Sequence, residues 1–518
     1  MFKNLLKKNF IEIIGLLIIF LVCFHLYSER INHTQLPDGD QGSWMAVAKE
    51  FSLGNGFTTS WYEHPFLKPD TLPRPDDYRF PGLVIILGFS FKIFGISYKT
   101  ALWTCFVIFL IYLFIIYLCC RKVFSKKTAF LTVIITTFSL LQLYWNSKVY
   151  SEALFGIVVG LIILWTSLFT NKKKISFWII LGVLCGLLYN IRPNGIIFIF
   201  GIIWLYFREK KIGIKISMPI ISVLFMFLIM LPWLIRNYIL FGNAFHVAAN
   251  AGLFHLTYSE SPLSFKEFII KYSPLVFIFN TIKGIFPFLI ALNFFEHGLF
   301  VIPFFGVLLG FYLKKPFYNS FIIINFVIML LACFYISGSG AGSWSGVRYY
   351  SMFLPFIYAY GINSFLILIE KINNRKIFYL KIKNILTFLF CVFLLLPVYF
   401  PHKYYERYFR KTPKSDLSFF EHLKTMNSIF EKKETYLANK LCQLNFLTCH
   451  YCVGIQEYVD SVTALNLINK FSPKFIILTK DEMKEKRIRS IINEIEKNNF
   501  KLSLKDTSKY GYYFKIEK

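Results

Sequence analysis

The chain has 518 residues, of which 56% are hydrophobic and 19% aromatic, and its formal net charge is +28. A mean hydropathy of +0.53 excludes an ordinary soluble protein, and apolar runs near twenty residues long indicate a polytopic α-helical membrane protein. Lys and Arg are concentrated in the short gaps between apolar runs, which the positive-inside rule places in the cytoplasm. The bilayer therefore explains the positive charge, and nucleic acid is not expected as a partner.

The first apolar run, residues 10–27, follows three lysines and has no small-residue cleavage site after it, which predicts a retained anchor with a cytoplasmic N-terminus. About eleven transmembrane helices are predicted, each long enough for a hydrocarbon core of ~30 Å. They cover residues 9–27, 100–120, 128–146, 153–170, 175–190, 194–207, 216–232, 298–313, 317–336, 351–369 and 384–400.

Two further apolar stretches are not counted as spans, because each would move Lys and Arg clusters to the outer side. Residues 83–94 are only about twelve long, a rise of ~18 Å as a helix, and are predicted to be re-entrant or interfacial. Residues 276–292 follow Pro274 and contain Pro287, and they are placed along the outer surface. With this count the protein sits in the plasma membrane with its C-terminus outside.

The first outer loop, residues 28–82, collects acidic residues. Of the 15 Asp and Glu before residue 401, eight lie between Glu29 and Asp77. Ionised carboxylates are costly in hydrocarbon, so this loop marks an aqueous face. The Asp38-Gly39-Asp40 spacing suits two oxygen ligands of a divalent metal, but Pro, Gly and Asp are also typical of an exposed turn.

Several motifs follow in chain order and fall at outer span ends on this topology. The first is Asp40 with Trp44 at plus four and Ala48 at plus eight, followed by Gly-Asn-Gly. The others are Arg79-Phe-Pro-Gly, Tyr150-Ser-Glu152, a Gly-Leu stretch ending in Arg192-Pro, Pro232-Trp-x-x-Arg236-Asn-Tyr and Arg348-Tyr-Tyr. Together they resemble the GT-C class of glycosyltransferases, specifically the family 39-like group of protein O-mannosyltransferases and lipid A aminoarabinose transferases. The resemblance covers about residues 10–400.

This resemblance implies a GT-C transmembrane catalytic domain over residues 1–400 that transfers a sugar from a polyprenyl-phosphate donor to a glycan, lipid or protein acceptor at the outer face. Such chemistry needs a carboxylate that takes the acceptor's proton or orients the acceptor, and Asp40 is the candidate. Glu152 is a second catalytic candidate, which either holds the acceptor or pairs with an arginine. Asp38 assists Asp40 or shapes the turn.

The leaving phosphate needs cations, because its negative charge grows in the transition state. The candidates are Arg79, Arg192, Arg236 and Arg348, and the alternative for each is an arginine that snorkels to the membrane interface. With arginines neutralising the phosphate, no metal or other cofactor is required, although the Asp38-Gly-Asp40 spacing leaves a divalent metal open.

Composition shifts at Pro401, and residues 401–518 carry 22 Lys or Arg and 14 Asp or Glu with no apolar run long enough to span. Strands over 435–440, 475–480, 500–506 and 512–517 and helices over 462–471 and 481–499 predict a small extracytoplasmic α/β domain. Cys442, Cys449 and Cys452 allow one disulfide with one thiol left over, and zinc is disfavoured for lack of a second ligand pair.

Two other functions remain open from the sequence. A transporter or flippase of lipid-linked saccharides is one, but ion-driven transporters place ionisable residues near the midplane, and no Asp or Glu lies deep in a predicted span. A non-catalytic assembly protein that binds a partner through its C-terminal domain is the other.

Overall fold

A computed structural model gives the structure of the chain. It describes most of the sequence, with gaps. The described residues are 2–33, 37, 39–62, 71–169, 172–210, 213–246, 265–296, 306–310, 320–338, 342–373, 434–438, 445–446, 451–455, 459–479, 482–507 and 511–517. The predicted span 384–400 and most of 298–313 lie outside these residues, as do Asp38, Cys442 and Cys449.

Among the described residues, helices dominate up to residue 373, and strands occur only in the first outer loop and the C-terminal region. The helices are α1 Phe2–His33, α2 Gly39–Ser52, α3 Pro81–Phe94, α4 Tyr98–Val123, α5 Lys126–Phe138, α6 Leu140–Asn146, α7 Glu152–Leu168, α8 Ile175–Ile191, α9 Phe198–Glu209, α10 Ser217–Phe241, α11 Phe265–Glu296, α12 Ser320–Gly338, α13 Gly342–Tyr350, α14 Leu354–Asn373, α15 Ser461–Phe471 and α16 Lys486–Lys497. The strands are β1 Thr58–Thr59, β2 Trp61–Tyr62, β3 Arg74–Pro75, β4 Thr435–Ala438, β5 Tyr451–Gly454, β6 Phe475–Thr479, β7 Lys501–Thr507 and β8 Gly511–Glu517.

The chain divides into two compact units, each built from three separate segments. The first unit draws on the described residues of Met1–Ile31, Leu102–Leu234 and Glu267–Arg407. The second draws on those of Asn32–Ala101, Ile235–Lys266 and Tyr408–Lys518. The first outer loop therefore belongs to the same unit as the C-terminal region.

The first unit is a bundle of apolar helices. Among the described residues, three helices are long and apolar enough to cross a membrane: Tyr98–Val123, Ser217–Phe241 and Leu275–Leu292. Glycine allows close approach between two of the bundle's helices, since a Cβ on Gly182 of α8 would collide with the backbone carbonyl of Ser222 in α10. The membrane character predicted from composition is confirmed, and the number of eleven spans stays a prediction.

Two predicted spans differ in detail from the observed helices. Residues 128–146 form two helices, α5 and α6, because Ser139 leaves the helical conformation and its Oγ accepts the N–H of Gln142, which caps α6. Residues 276–292 are placed on the outer surface by the charge pattern, but they lie in the segment Leu275–Leu292, which has the length and composition of a membrane-crossing helix.

The second unit contains a six-stranded mixed sheet with the order β2-β5-β4-β6-β8-β7. Strands β2, β5, β4 and β6 are parallel neighbours, while β8 pairs antiparallel with β6 and β7. Helix α16 buries Ile488, Ile491 and Ile495 from one face, the spacing of an amphipathic helix. The predicted C-terminal α/β region is thus confirmed.

The edge strand β2 comes from the first outer loop, and its pairing with β5 was not predicted. Trp61 pairs with Cys452 and Tyr62 with Val453, and the Tyr62 side chain is 1% exposed in the core of the sheet domain. Helix α2 is tied to the same region, because the buried Lys49 donates through Nζ to the backbone carbonyl of Asn445 at 3.2 Å. The loop that carries Asp40 is therefore anchored on the C-terminal fold.

Candidate functional site

Asp40 lies in the first turn of α2, where the helix dipole favours a carboxylate. Its Oδ1 accepts a hydrogen bond from Nη2 of Arg79 at 2.9 Å, while 45% of its side chain stays exposed. The carboxylate is therefore held in a fixed place and still reaches solvent, which is the setting a general base requires.

Arg79 is the residue that holds this carboxylate, and its own side chain is only 12% exposed. Its Nε donates to Oγ of Ser43 at 2.8 Å, one turn along α2 from Asp40. The guanidinium also stacks over the ring of Trp44, 5.2 Å from the centroid. The Arg79-Phe-Pro-Gly and Asp40-x-x-x-Trp44 motifs thus form one contact. Arg79 is engaged with protein groups on several sides.

The carboxylate of Asp76 contacts the backbone of Arg79, and the sequence did not single this residue out. It is fully buried, and its Oδ2 accepts the backbone N–H of Arg79 at 2.7 Å. Burial, together with the neighbouring charge of Asp77, raises the pKa of Asp76 from 3.8 to about 6, although the Arg79 N–H bond and the charges of Arg74 and Arg79 oppose the rise.

Asp77 points to other partners than Asp76 does. It forms a buried ion pair with Arg74, and its Oδ2 lies 3.0 Å from Nε2 of His246. Arg236 donates from Nη2 to the backbone carbonyls of Phe57 at 3.0 Å and Asp76 at 2.6 Å. The structure thus places Arg236 on the backbone of the loop that carries Asp76.

A second cluster lies in the first unit, centred on Glu152 at the start of α7. Its buried Oε1 accepts from Nε of Arg348 at 2.5 Å and lies 2.9 Å from Nη1 of Arg192. Arg348 is positioned by the chain that follows it, because Gln142 donates to the carbonyl of Ser351 at 2.6 Å. Three of the sequence-predicted residues thus meet on one carboxylate oxygen.

Aromatic rings line this second cluster. The guanidinium carbon of Arg348 lies 3.8 Å from the ring centroid of Tyr150, and that of Arg192 lies 4.6 Å from Tyr349. Two guanidinium groups and one carboxylate carry a net charge of one positive, and ring faces add to the stabilisation of such cations. The arrangement suits an anionic ligand.

Comparison with known proteins gives one family match and several structural matches. Residues 75–235 match the family described as dolichyl-phosphate-mannose-protein mannosyltransferase. The Archaeoglobus fulgidus oligosaccharyltransferase, solved tethered with an acceptor peptide containing the NVT sequon, has a TM-score of 0.62 at 13% identity and covers 98% of this chain and 74% of that chain. The same organism's AglB, in complex with an inhibitory peptide and a dolichol-phosphate, has a TM-score of 0.63 at 14% identity, with the same coverage.

ArnT from Cupriavidus metallidurans, bound to undecaprenyl phosphate, covers 96% of this chain and 97% of its own at 9% identity, with a TM-score of 0.47 that is too low to support an argument. No curated protein matches the chain in sequence. The resemblance to the family 39-like GT-C glycosyltransferases is confirmed. The family match includes Asp76, Arg79, Glu152 and Arg192, and the two oligosaccharyltransferase structures support the fold of the chain.

A bound metal stays a prediction. Among the described residues, no three His, Cys, Asp or Glu side chains are arranged to hold a metal ion. Asp38, half of the Asp-Gly-Asp spacing, lies outside those residues. Cys452 is buried in β5. Cys442 and Cys449, the other two cysteines of the predicted disulfide, lie outside the described residues.

Proposed function

We propose that the chain is a membrane glycosyltransferase that moves a sugar from a polyprenyl-phosphate donor to an acceptor at the outer face of the plasma membrane. The observation that carries the proposal is Asp40, a half-exposed carboxylate at the start of α2 with one oxygen held by Arg79. A carboxylate that is fixed in orientation and accessible meets the geometric demand on a general base.

In the proposed reaction Asp40 accepts the proton of the acceptor's nucleophilic group as that group attacks the anomeric carbon of the sugar. The bond between the anomeric carbon and the phosphate oxygen breaks, and its electron pair leaves with the polyprenyl phosphate. Attack from the side opposite the leaving group inverts the configuration of the sugar. Negative charge grows on the phosphate, so cations that face it accelerate the step.

We assign the lipid phosphate to Arg192 and Arg348, whose net positive charge and aromatic lining support anion binding. Glu152 then serves to orient the two guanidinium groups, which its burial and double pairing support. Arg236 is assigned to the loop backbone, since it donates to two backbone carbonyls there. Asp38 stays a prediction as a neighbour that assists Asp40 or shapes the turn.

The shared fold supports the choice of donor lipid. AglB was solved with a dolichol-phosphate, and its fold covers 98% of this chain. We infer a polyprenyl phosphate for this chain too, with a catalytic region over residues 1–400, eleven spans, a cytoplasmic N-terminus and an extracytoplasmic domain over 401–518. The acceptor is a glycan, a lipid or a protein.

The test is transfer of label from radiolabelled undecaprenyl-phosphate sugars to membrane extracts, with wild type compared with Asp40→Asn at matched expression. Removing a general base is expected to lower transfer by ~100-fold or more. Glu50→Gln is the matched control, because Glu50 is a carboxylate of the same helix that accepts from Asn55 at 2.7 Å and has no role in the proposal. It should keep wild-type transfer.

Transfer that survives in Asp40→Asn would show that Asp40 is not the base. A wild type that transfers no label, yet moves lipid-linked sugar across vesicles, would favour the transporter alternative. In the expected case the labelled acceptor identifies the pathway.

A further inference from the structure

The feature that the proposed mechanism leaves unused is the buried carboxyl of Asp76. Its backbone is tied on both sides: its N–H donates to the carbonyl of Phe57 at 2.9 Å, and its carbonyl accepts from Arg236 at 2.6 Å. Its side chain turns towards Arg79 and accepts that residue's backbone N–H at 2.7 Å. Asp76 is therefore one hydrogen bond away from the arginine that holds Asp40.

The two oxygens of Asp76 differ in their surroundings. Oδ2 is bound to Arg79, whereas Oδ1 is buried and, within the part of the chain that the structure describes, has no hydrogen-bond partner. A proton can therefore settle on Oδ1 without displacing the Arg79 N–H from Oδ2. Protonation of Asp76 removes its negative charge next to Arg79 and leaves the hydrogen bonds of the loop in place.

Asp76 belongs to a group of ionisable side chains in the second unit. Among the described residues this group has three carboxylates and three guanidinium groups, whose formal charges cancel while all are ionised, and one histidine adjoins them. The carboxylates are Asp40, Asp76 and Asp77, the guanidinium groups are Arg74, Arg79 and Arg236, and the histidine is His246. Asp77 pairs with Arg74 and His246. The carboxylate that contacts the backbone of Arg79 is therefore that of Asp76.

We propose that Asp76 is a positioning residue for Asp40, whose ionised carboxyl anchors Arg79 and shares its positive charge. The inference rests on the proposed function, in which Asp40 is the base. Once Asp76 is neutral, it no longer offsets the positive charge of Arg79, so Asp40 experiences a stronger positive potential and becomes a weaker base. The N–H bond that anchors Arg79 is also weaker when its acceptor is neutral.

With a pKa of about 6, Asp76 changes its protonation state within the pH range in which sugar transfer can be assayed. Above pH 7 Asp76 is ionised and the arrangement is complete, and below pH 5 it is mostly protonated. Transfer should therefore fall as pH decreases through about 6. The same neutral state is imposed at every pH by Asp76→Asn, whose amide oxygen can still accept the Arg79 N–H.

The experiment is the pH profile of kcat/KM for sugar transfer from pH 5 to 8, in wild type, Asp76→Asn and His246→Gln. Asp76→Asn is expected to be about 10-fold less active than wild type at pH 7.5 with little further fall, the size of one charge-assisted interaction. Wild type should lose about 5-fold between pH 7.5 and pH 5, because roughly a tenth of Asp76 is still ionised one pH unit below a pKa of about 6. His246→Gln removes the imidazole beside Asp77 and should keep the fall in activity at acid pH that wild type shows.

The inference would be overturned by an Asp76→Asn variant whose kcat/KM still falls towards pH 5 as in wild type, or whose kcat/KM equals that of wild type at pH 7.5. It would also be overturned if the fall towards pH 5 disappears in His246→Gln. If the Asn variant is not recovered folded, a wild-type profile that is flat between pH 5 and 7.5 overturns the inference, and a fall towards pH 5 retained in His246→Gln supports it. A wild type with no transfer at any pH refutes the proposed function itself, and the inference with it.

Discussion

Replacing Asp76 by Asn is expected to stabilise the protein at pH 7.5 while it lowers activity. The folded-state pKa of Asp76 is about 6, against an ordinary value of 3.8. A carboxyl whose pKa is raised on folding binds its proton more tightly in the native state, so its contribution to stability is best below pH 4 and is lost as pH rises to 6. Above pH 6 the ionised carboxylate is a net cost to folding.

The size of that cost follows from the two pKa values. A difference of about two pH units corresponds to ~3 kcal/mol at 1.36 kcal/mol per unit. Asparagine removes this cost, but its NH2 group takes the place of Oδ1, for which the described residues supply no partner, at a penalty of ~1–2 kcal/mol. The variant should therefore gain ~1–2 kcal/mol in the free energy of unfolding at pH 7.5.

Thermal unfolding of the full chain in detergent, at pH 7.5 and pH 5, is the measurement. Wild type recovers ~1.4 kcal/mol between pH 7.5 and pH 5 as Asp76 takes up its proton, so the advantage of Asp76→Asn should shrink by that amount. Glu482→Gln is the control, because Glu482 is also buried and accepts a backbone N–H, that of Thr479 at 2.7 Å. This bond weakens when its acceptor is neutral, so the same exchange of carboxylate for amide should lower stability there. An Asp76→Asn variant less stable than wild type at pH 7.5, or a gap that does not change with pH, would refute the reasoning.

Three further predictions concern stability, each measured by thermal unfolding against wild type. Glu152→Gln should cost ~3–5 kcal/mol, because it leaves two buried guanidinium groups without their carboxylate, and a loss below 1 kcal/mol would contradict the pairing. Lys49→Met should cost ~1–3 kcal/mol through the lost bond to the Asn445 carbonyl, whereas Lys49→Arg should retain part of it. Gly182→Ala should cost ~1–3 kcal/mol by forcing α8 away from Ser222, and a neutral effect would contradict the close packing.

The sequence predicted the features that depend on local pattern. Apolar runs and charge gaps identified the helical membrane region, and alternating residues identified most C-terminal elements, with β6 and α15 found within a residue of their predicted ends. It did not predict β2, because two residues carry no periodicity and their partner Cys452 lies 391 positions away. Nor did it predict the break at Ser139, since both sides of that residue are apolar and helical in composition.

The sequence predicted which residues belong to the site, but it did not predict which of them pair with each other. The motifs brought Asp40, Arg79, Glu152 and Arg348 into consideration, but the pairing of Arg79 with Asp40 and of Arg348 with Glu152 depends on how distant segments pack. Asp76 was counted only as one more acid of an aqueous loop. Its burial comes from packing between segments more than a hundred residues apart, as its contact with Arg236 shows, and no short pattern encodes that.

The free-energy cost of keeping Asp76 ionised is a stronger argument for a functional role than any sequence motif. A fully buried carboxyl with one unpartnered oxygen and an adjacent Asp77 is an expensive group to keep ionised at neutral pH. A neutral amide of nearly the same shape fits the same space and, by the reasoning above, makes a more stable protein. Groups that cost stability and would be cheap to replace are expected where activity requires them. The combined outcome, a variant that is more stable and less active, is one that a purely structural role for Asp76 does not produce.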